Sequence, residues 1–290
     1  MPKEKIALVT GCSTGIGYIT SLTFARNGFY TYATMRNLDK SSNIKEISSK
    51  ESLPLEVLQL DVTNDESTKN AIEILKAEKN RIDVLVNNAD YGLIGSIEEI
   101  SIKELKAQFE TNLFGMVRVT QQVLPIMRMQ KEGEGGGGGR IINVSSIGGI
   151  LGYPLTAAYS STKFAVEGLI ESMRYEVEPF GIKTILIEPA FVIDTNFHNN
   201  VKVPEKTTSG SYSSPYKEFT QKLFENYWNV QIEYQTKAED VAKIILEAAI
   251  SDNPKQRYQV GKYSEMMVKT KYRYSDSECK NIMQKQFFSQ

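Results

Sequence analysis

Tyr159 and Lys163 stand four positions apart in AAYSSTKFAVEG, and on a helix that spacing sends both side chains out from one face. A free phenol ionises near pH ~10, too high for a good base at neutrality, and a neighbouring ammonium favours its phenolate. The pair is therefore suited to giving a proton to, or taking one from, an oxygen whose charge changes during a reaction. A second group suits anion binding: TGCSTGIG at 10–17 places Gly11, Gly15 and Gly17 where a strand would turn into a helix. Glycine there lets backbone N–H groups approach a pyrophosphate, which the helix N-terminus then stabilises. Each feature alone has a plain structural reading: Tyr159 as core, Lys163 as solvated helix face, the glycines as a tight turn. Their joint presence argues for a site.

Such residues need a frame to hold them. Apolar runs at 6–10, 30–35, 55–60, 82–87, 140–145 and 183–188 read as buried parallel strands, and 16–27, 65–79, 101–130, 157–178 and 237–250 carry helical periodicity. The alternation predicts an α/β fold, a Rossmann-type doubly wound parallel sheet with helices on both faces in a single domain. In that frame TGCSTGIG joins the first strand to the first helix. The second strand ends in YATMRN, with Thr34 and Arg36 where many NAD-binding folds place an acid on the ribose 2′-hydroxyl. An arginine there pairs with a 2′-phosphate, so NADP(H) is favoured and NAD(H) is the alternative, unless Arg36 is only a solvated cation. Asp61, ending the third strand, would accept from an adenine amino group or cap the following helix.

A net charge of −1 gives no electrostatic reason to expect nucleic acid or an anionic membrane as partner. Cys12 and Cys279 lie nearly the whole chain apart, without the spacing of a metal knuckle or disulfide framework, so no metal site is expected and a reducing, cytoplasmic setting is. No stretch approaches the length of a membrane span, and the N-terminus runs straight into a strand-like segment. The glycine run from Gly133 to Gly139 reads as a loop. The stretch 195–232 is irregular and rich in aromatics, among them Phe197, Tyr212, Tyr227 and Trp228, which fit an apolar substrate or equally a lid packed on its own body. His198, the single histidine, has no partner in sequence and reads as a surface or lid residue. Ser275 and Glu278 are spaced as the capping box of a last helix.

Four motifs, TGCSTGIG at 10–17, NNAD at 87–90, NVSS at 143–146 and YSSTK at 159–163, occur in the order found in the short-chain dehydrogenase/reductase family, which the sequence closely resembles over roughly residues 4–250. Within it the loop and the YATMRN segment are similar to the branch of 17β-hydroxysteroid and retinol dehydrogenases. The resemblance implies an oxidoreductase interconverting an alcohol and a ketone or aldehyde by hydride transfer, with Asn112, Ser146, Tyr159 and Lys163 as its catalytic set. Tyr159 would be the acid and base, Ser146 would hold the carbonyl oxygen, and Asn112 would hold a relay water linked to Lys163. Ser145 competes with Ser146, but alternation along a strand points the two oppositely. The cofactor would lie on Gly11, Ser13, Thr14, Gly15, Ile16, Gly17, Arg36, Asp61, Val62, Asn88, Ala89, Tyr159, Lys163, Pro189, Val192 and Thr195.

The resemblance further implies a domain over 1–262 with a substrate lid at about 191–232, a helical tail at 263–290, and a homodimer or homotetramer acting on a small-molecule carbonyl or alcohol. Three positions depart from the family pattern. Asp90 and Ala190 each replace a glycine, and Thr195 lies one residue further from Pro189 than the family threonine that touches the nicotinamide amide. Asp tolerates a left-handed backbone better than most residues, so the first change is compatible with a turn. A catalytically inactive NAD(P)-sensing protein on the same fold is the alternative, against which the retained proton-handling set argues.

Overall fold

The computed structural model describes residues 4–130, 138–195, 197–209 and 212–288, apart from the side chains at 198 and 199. In chain order its elements are β1 (Lys5–Val9), α1 (Gly15–Arg26), β2 (Phe29–Met35), α2 (Ser42–Lys50), β3 (Leu55–Gln59), α3 (Asp65–Glu78), β4 (Val84–Asn87), α4 (Ile102–Phe109) and α5 (Gly115–Met129). There follow β5 (Gly139–Val144), α6 (Ala157–Val177), β6 (Ile182–Pro189), α7 (Phe197–Asn200), α8 (Glu205–Thr208), α9 (Lys217–Glu233), α10 (Ala238–Ile250), β7 (Arg257–Val260), α11 (Lys262–Arg273) and α12 (Asp276–Phe288).

The seven strands pair in parallel in the order β3-β2-β1-β4-β5-β6-β7. Both faces of the sheet are covered, so its strands are apolar on both sides. Alternation along β1 sends Ile6 and Leu8 into a core with α3, α5 and α6, and Ala7 and Val9 into a second core with α1, α2 and α10. The doubly wound sheet expected from the sequence is thus the one observed. Chain order reverses between β1 and β4, and a crevice opens there at the carboxyl ends of the strands.

Two local departures from the expectation have physical causes. The segment read as one helix over 101–130 is broken by a π-helical turn, Glu110–Phe114, between α4 and α5. Of the glycine run, Gly133–Gly137 lie outside the described residues, while Gly139 opens β5 instead of closing a loop, with φ of +113° that only glycine adopts readily. Ser275 and Glu278 form the expected capping box: the Ser275 N–H donates to the Glu278 carboxylate at 2.8 Å and its hydroxyl accepts from the Glu278 N–H at 3.4 Å. Among the described residues, no helix is long and apolar enough to cross a membrane.

A third core lies beyond the crevice. There Leu223 and Val230 of α9, Tyr263 and Met267 of α11 and Met283 and Phe287 of α12 pack with Tyr153 and Ala190. The Phe287 ring stacks on Tyr227 at 5.0 Å and meets Tyr153 edge-on at 6.1 Å. The last helix is therefore bolted to α9, the main element of the stretch read as irregular.

Candidate active site

Three strand ends converge on the crevice: Thr10 after β1, the segment Asn88–Asp90 after β4, and Ser145–Ser146 after β5. Thr10 ties the first two together, its hydroxyl accepting from the N–H groups of Asn88 at 2.9 Å and Ala89 at 3.1 Å. The Asn88 amide in turn donates to the carbonyls of Thr10 at 2.9 Å and Gly11 at 3.2 Å. Those bonds leave no room for a side chain in the glycine loop. A Cβ on Gly17 would lie 2.4 Å from Asn88 Nδ2, and one on Gly11 would lie 2.8 Å from Ala89 Cα. The Thr14 hydroxyl makes no capping bond at the start of α1, so the N–H groups of that turn face the crevice uncapped. This is the cradle a pyrophosphate requires.

Other cofactor-side expectations are placed as follows. Arg36 is exposed at the end of β2, and its side chain makes no hydrogen bond or ion pair among the described residues. Asp61 does not cap α3, because Asn64 does, accepting from the Ser67 N–H. The Asp61 carboxylate is turned back onto the Thr63 N–H at 2.9 Å and hydroxyl at 2.7 Å. Val62 is buried under α5, where a Cβ on Gly115 would meet it at 2.7 Å. Pro189 ends β6, Val192 bridges to Thr236, and Thr195 lies across the loop from Gly15, within 3.3 Å of where a Cβ on that glycine would stand. The Thr195 hydroxyl donates to the Val192 carbonyl at 3.2 Å, fixing that bend.

Helix α6 carries Tyr159 and Lys163 into the crevice. The lysine ammonium lies 5.6 Å from the centre of the tyrosine ring and donates to the Val144 carbonyl at 2.9 Å. Ser146 extends from the end of β5 with its hydroxyl accepting from the Gly148 N–H at 3.1 Å, which leaves the hydroxyl proton to donate into the site. Ser145, its competitor, is buried with its hydroxyl turned towards the Glu167 carboxylate. Phe197 of α7 covers Tyr159 edge-on at 5.8 Å. The side chain of His198 lies outside the described residues.

Asn112 lies in the π turn, buried at the edge of the crevice. Its amide is occupied: it accepts from the Tyr91 N–H at 3.2 Å and donates to the Tyr91 carbonyl at 3.0 Å and the Thr162 hydroxyl at 3.2 Å. It thereby holds the segment that follows Asp90. Gln108, four positions earlier, grips the same segment by accepting from the Leu93 N–H at 2.8 Å and donating to the Tyr91 carbonyl. Gln108 and Thr162 escaped the sequence reading, although the four-residue interval from Gln108 to Asn112 is a helical one.

Neither glycine replacement sits at positive φ; the strain in this region falls on Phe191, with φ of +47°. Backbone tolerance therefore has no part in the presence of Asp90. Its carboxylate forms an ion pair with Lys163 Nζ at 2.8 Å. Beside the pair is a cavity of about 10 Å³, room for about one water, lined by Thr10, Asn87, Asp90, Asn112 and Lys163 among others.

Burial is the largest influence on the Tyr159 phenol and pushes its pKa up; Lys163 and the Ser146 hydroxyl pull it down, while Asp90 adds to the rise, and the net is upward. The reading of Lys163 as an acidifier holds in direction but is outweighed. For Lys163 itself burial works downward, yet Asp90, Tyr159 and Glu167 together hold its pKa above the ordinary lysine value.

Comparison with known proteins agrees with this geometry. The family described as short chain dehydrogenase matches residues 5–206. The uncharacterized oxidoreductase YusZ of Bacillus subtilis is 34% identical over 99% of both chains. Human 17-beta-hydroxysteroid dehydrogenase type 1 is 33% identical over 87% of this chain and 76% of its own length. Among solved structures, a short-chain dehydrogenase from Streptomyces avermitilis superposes with a TM-score of 0.79 at 28% identity, over 98% of this chain and 97% of that one.

Proposed function

The chain belongs to the short-chain dehydrogenase family, and from that premise we propose that it interconverts an alcohol and a ketone or aldehyde with NADP(H), Tyr159 serving as acid and base. The observation that carries the reading is the convergence of Tyr159, Lys163 and Ser146 beside the glycine cradle. When bound, NADP(H) supplies or takes up the hydride. The loop from Gly11 to Gly17 holds its pyrophosphate, and the unpaired Arg36 guanidinium takes the 2′-phosphate. Val192 and Thr195, fixed at the bend after β6, hold its far end.

Ser146, whose hydroxyl bonds to the Tyr159 phenol, donates its proton to the substrate oxygen that enters between them and stabilises charge there. In reduction Tyr159 hands its proton to that oxygen, and in oxidation it takes one back. Lys163, held by Val144, keeps a positive charge next to the phenol and favours its ionised form. Phe197 excludes water from the tyrosine and, with the aromatic cover of α9, suits an apolar substrate. The 191–232 stretch acts on this reading as the lid. Exposed apolar residues on neighbouring helices, Ile102 of α4, Met129 of α5 and Phe164 and Tyr175 of α6, support a homodimer or homotetramer.

Turnover of a panel of apolar ketones and aldehydes with NADPH and with NADH, joined to calorimetric titration of both cofactors, tests the proposal. Tyr159→Phe should lose about 10²–10⁴-fold in turnover while binding NADPH as tightly as wild type. Arg36→Asp should reverse the cofactor preference. Binding of neither cofactor by the wild type sinks the reading.

A further inference from the structure

Lys163 is among the most deeply buried polar residues of the chain, with a side chain 2% exposed, and a lysine so placed keeps its charge only beside a compensating one. Among the described residues its one ion pair is with Asp90, at 2.8 Å. The pairing is built: Asn112 and Gln108 clamp the backbone of Tyr91 and Leu93 just beyond the aspartate, and Val144 fixes the ammonium from the other side. Two of the three ammonium protons are thereby assigned, to Val144 and Asp90, and one remains for the crevice.

We infer that Asp90 is a positioning residue that acts through Lys163: it is the counter-ion that keeps the ammonium charged and makes the Tyr159–Lys163 pair hold its first dissociable proton to higher pH. The inference rests on the proposed role of that pair in proton transfer. Its sign does not depend on which group ionises first. If the proton leaves Tyr159, a phenolate forms that Asp90 repels; if it leaves Lys163, a cation disappears that Asp90 stabilises. Both routes become easier without the carboxylate, so the first ionisation of the coupled pair falls when it is removed.

The other charges facing the pair leave that sign unchanged. On α6, Glu167 lies one turn beyond Lys163, but Arg257 of β7 pairs with it and with Glu188 of β6. Beside Asp90 stands Tyr91, whose ring has Lys202 at 4.7 Å, and from α9 Tyr227 faces Tyr159. The consequence for chemistry is a tyrosine that stays loaded to higher pH. Carbonyl reduction, in which Tyr159 donates, keeps its rate into alkaline solution, and alcohol oxidation gains rate only at higher pH.

Asp90→Asn preserves the shape of the side chain and Asp90→Gly restores the family residue, so the two variants separate charge from packing. On the purified chain, nitrogen-labelled lysine followed by NMR gives the titration of Lys163, its signal assigned by its loss in Lys163→Arg. Both Asp90 variants should lower the first inflection of that signal, which responds to ionisation of either member of the pair, by about one pH unit or more. With NADP⁺ and an alcohol surrogate, the rising limb of the oxidation profile should move to lower pH by a similar amount. An unmoved Lys163 titration in both variants overturns the inference, as does an oxidation limb that stays in place or moves to higher pH. If Lys163 moves and no variant, wild type included, turns over any surrogate, the counter-ion stands and the proposed function fails.

Discussion

Replacing Gly17 by alanine tests whether the loop after β1 is a cradle or merely a turn. Gly17 is not at positive φ, so alanine brings no backbone strain, and within a helix it should even gain up to about 1 kcal/mol. Space decides against it. The new Cβ would lie 2.4 Å from Asn88 Nδ2 and 2.6 Å from the Gly11 carbonyl oxygen, distances at which backbone or amide must move. Moving the amide breaks its bonds to Thr10 and Gly11, worth about 0.5–1.5 kcal/mol each, and forcing a methyl into a filled site costs a further 1–3 kcal/mol or so.

After the helical gain, the net loss is about 1–5 kcal/mol, which for a chain of this size lowers Tm by roughly 2–8 °C. Displacement of the loop should also weaken NADPH binding at least about tenfold, the equivalent of ~1.4 kcal/mol. Gly168→Ala is the control: it lies within α6 with no atom within 4 Å of the added Cβ, and should hold or raise Tm. Thermal unfolding of the two variants with calorimetric titration of NADPH makes the comparison. A Gly17→Ala protein that melts with wild type and binds NADPH equally well refutes the reasoning, since a loop that yields a methyl of space is no fitted cradle.

Two further outcomes follow from the packing. Phe287→Ala removes a fully buried ring from between Tyr227 and Tyr153, and should release α12 from α9 at a local cost of about 3–5 kcal/mol. Limited trypsin digestion should then cut at Lys217, Lys222, Lys280 or Lys285 ahead of the sheet; an unchanged digestion pattern counts against a bolted lid. Light scattering of the wild type should give two or four times the chain mass, and a monomer mass at micromolar concentration would reject the assembly read from Ile102, Met129, Phe164 and Tyr175.

The sheet was legible because parallel strands buried on both faces must be nearly continuous apolar runs, and six of seven were. The seventh, β7, is the four-residue edge strand RYQV, in which buried Tyr258 and Val260 alternate with Arg257 and Gln259 and form no run. Helix α9 was hidden for the opposite reason. Its apolar residues lie all round it, Leu223 and Val230 buried but Phe224, Trp228 and Ile232 exposed, so no single stripe marks a face. The residue that seals it, Phe287, belongs to the far end of the chain. The π turn at Glu110–Phe114 was equally silent, since one extra residue per turn leaves the surrounding periodicity nearly intact.

Tyr159, Lys163 and Ser146 were legible as candidates because what brings them together is an interval along one helix and the end of one strand. The pairing of Asp90 depends on a distance between segments far apart in sequence, and it is the side chain, not the backbone conformation, that sets the residue apart from glycine there. The clamp beside it, Gln108 and Asn112, follows a helical interval, but its target at Tyr91 and Leu93 lies on another segment and leaves no mark in that spacing. The ion pair in this crevice is thus made by a helix residue and a strand end that only the assembled fold brings within reach, with Val144 holding the ammonium and the clamp holding the chain just beyond the carboxylate.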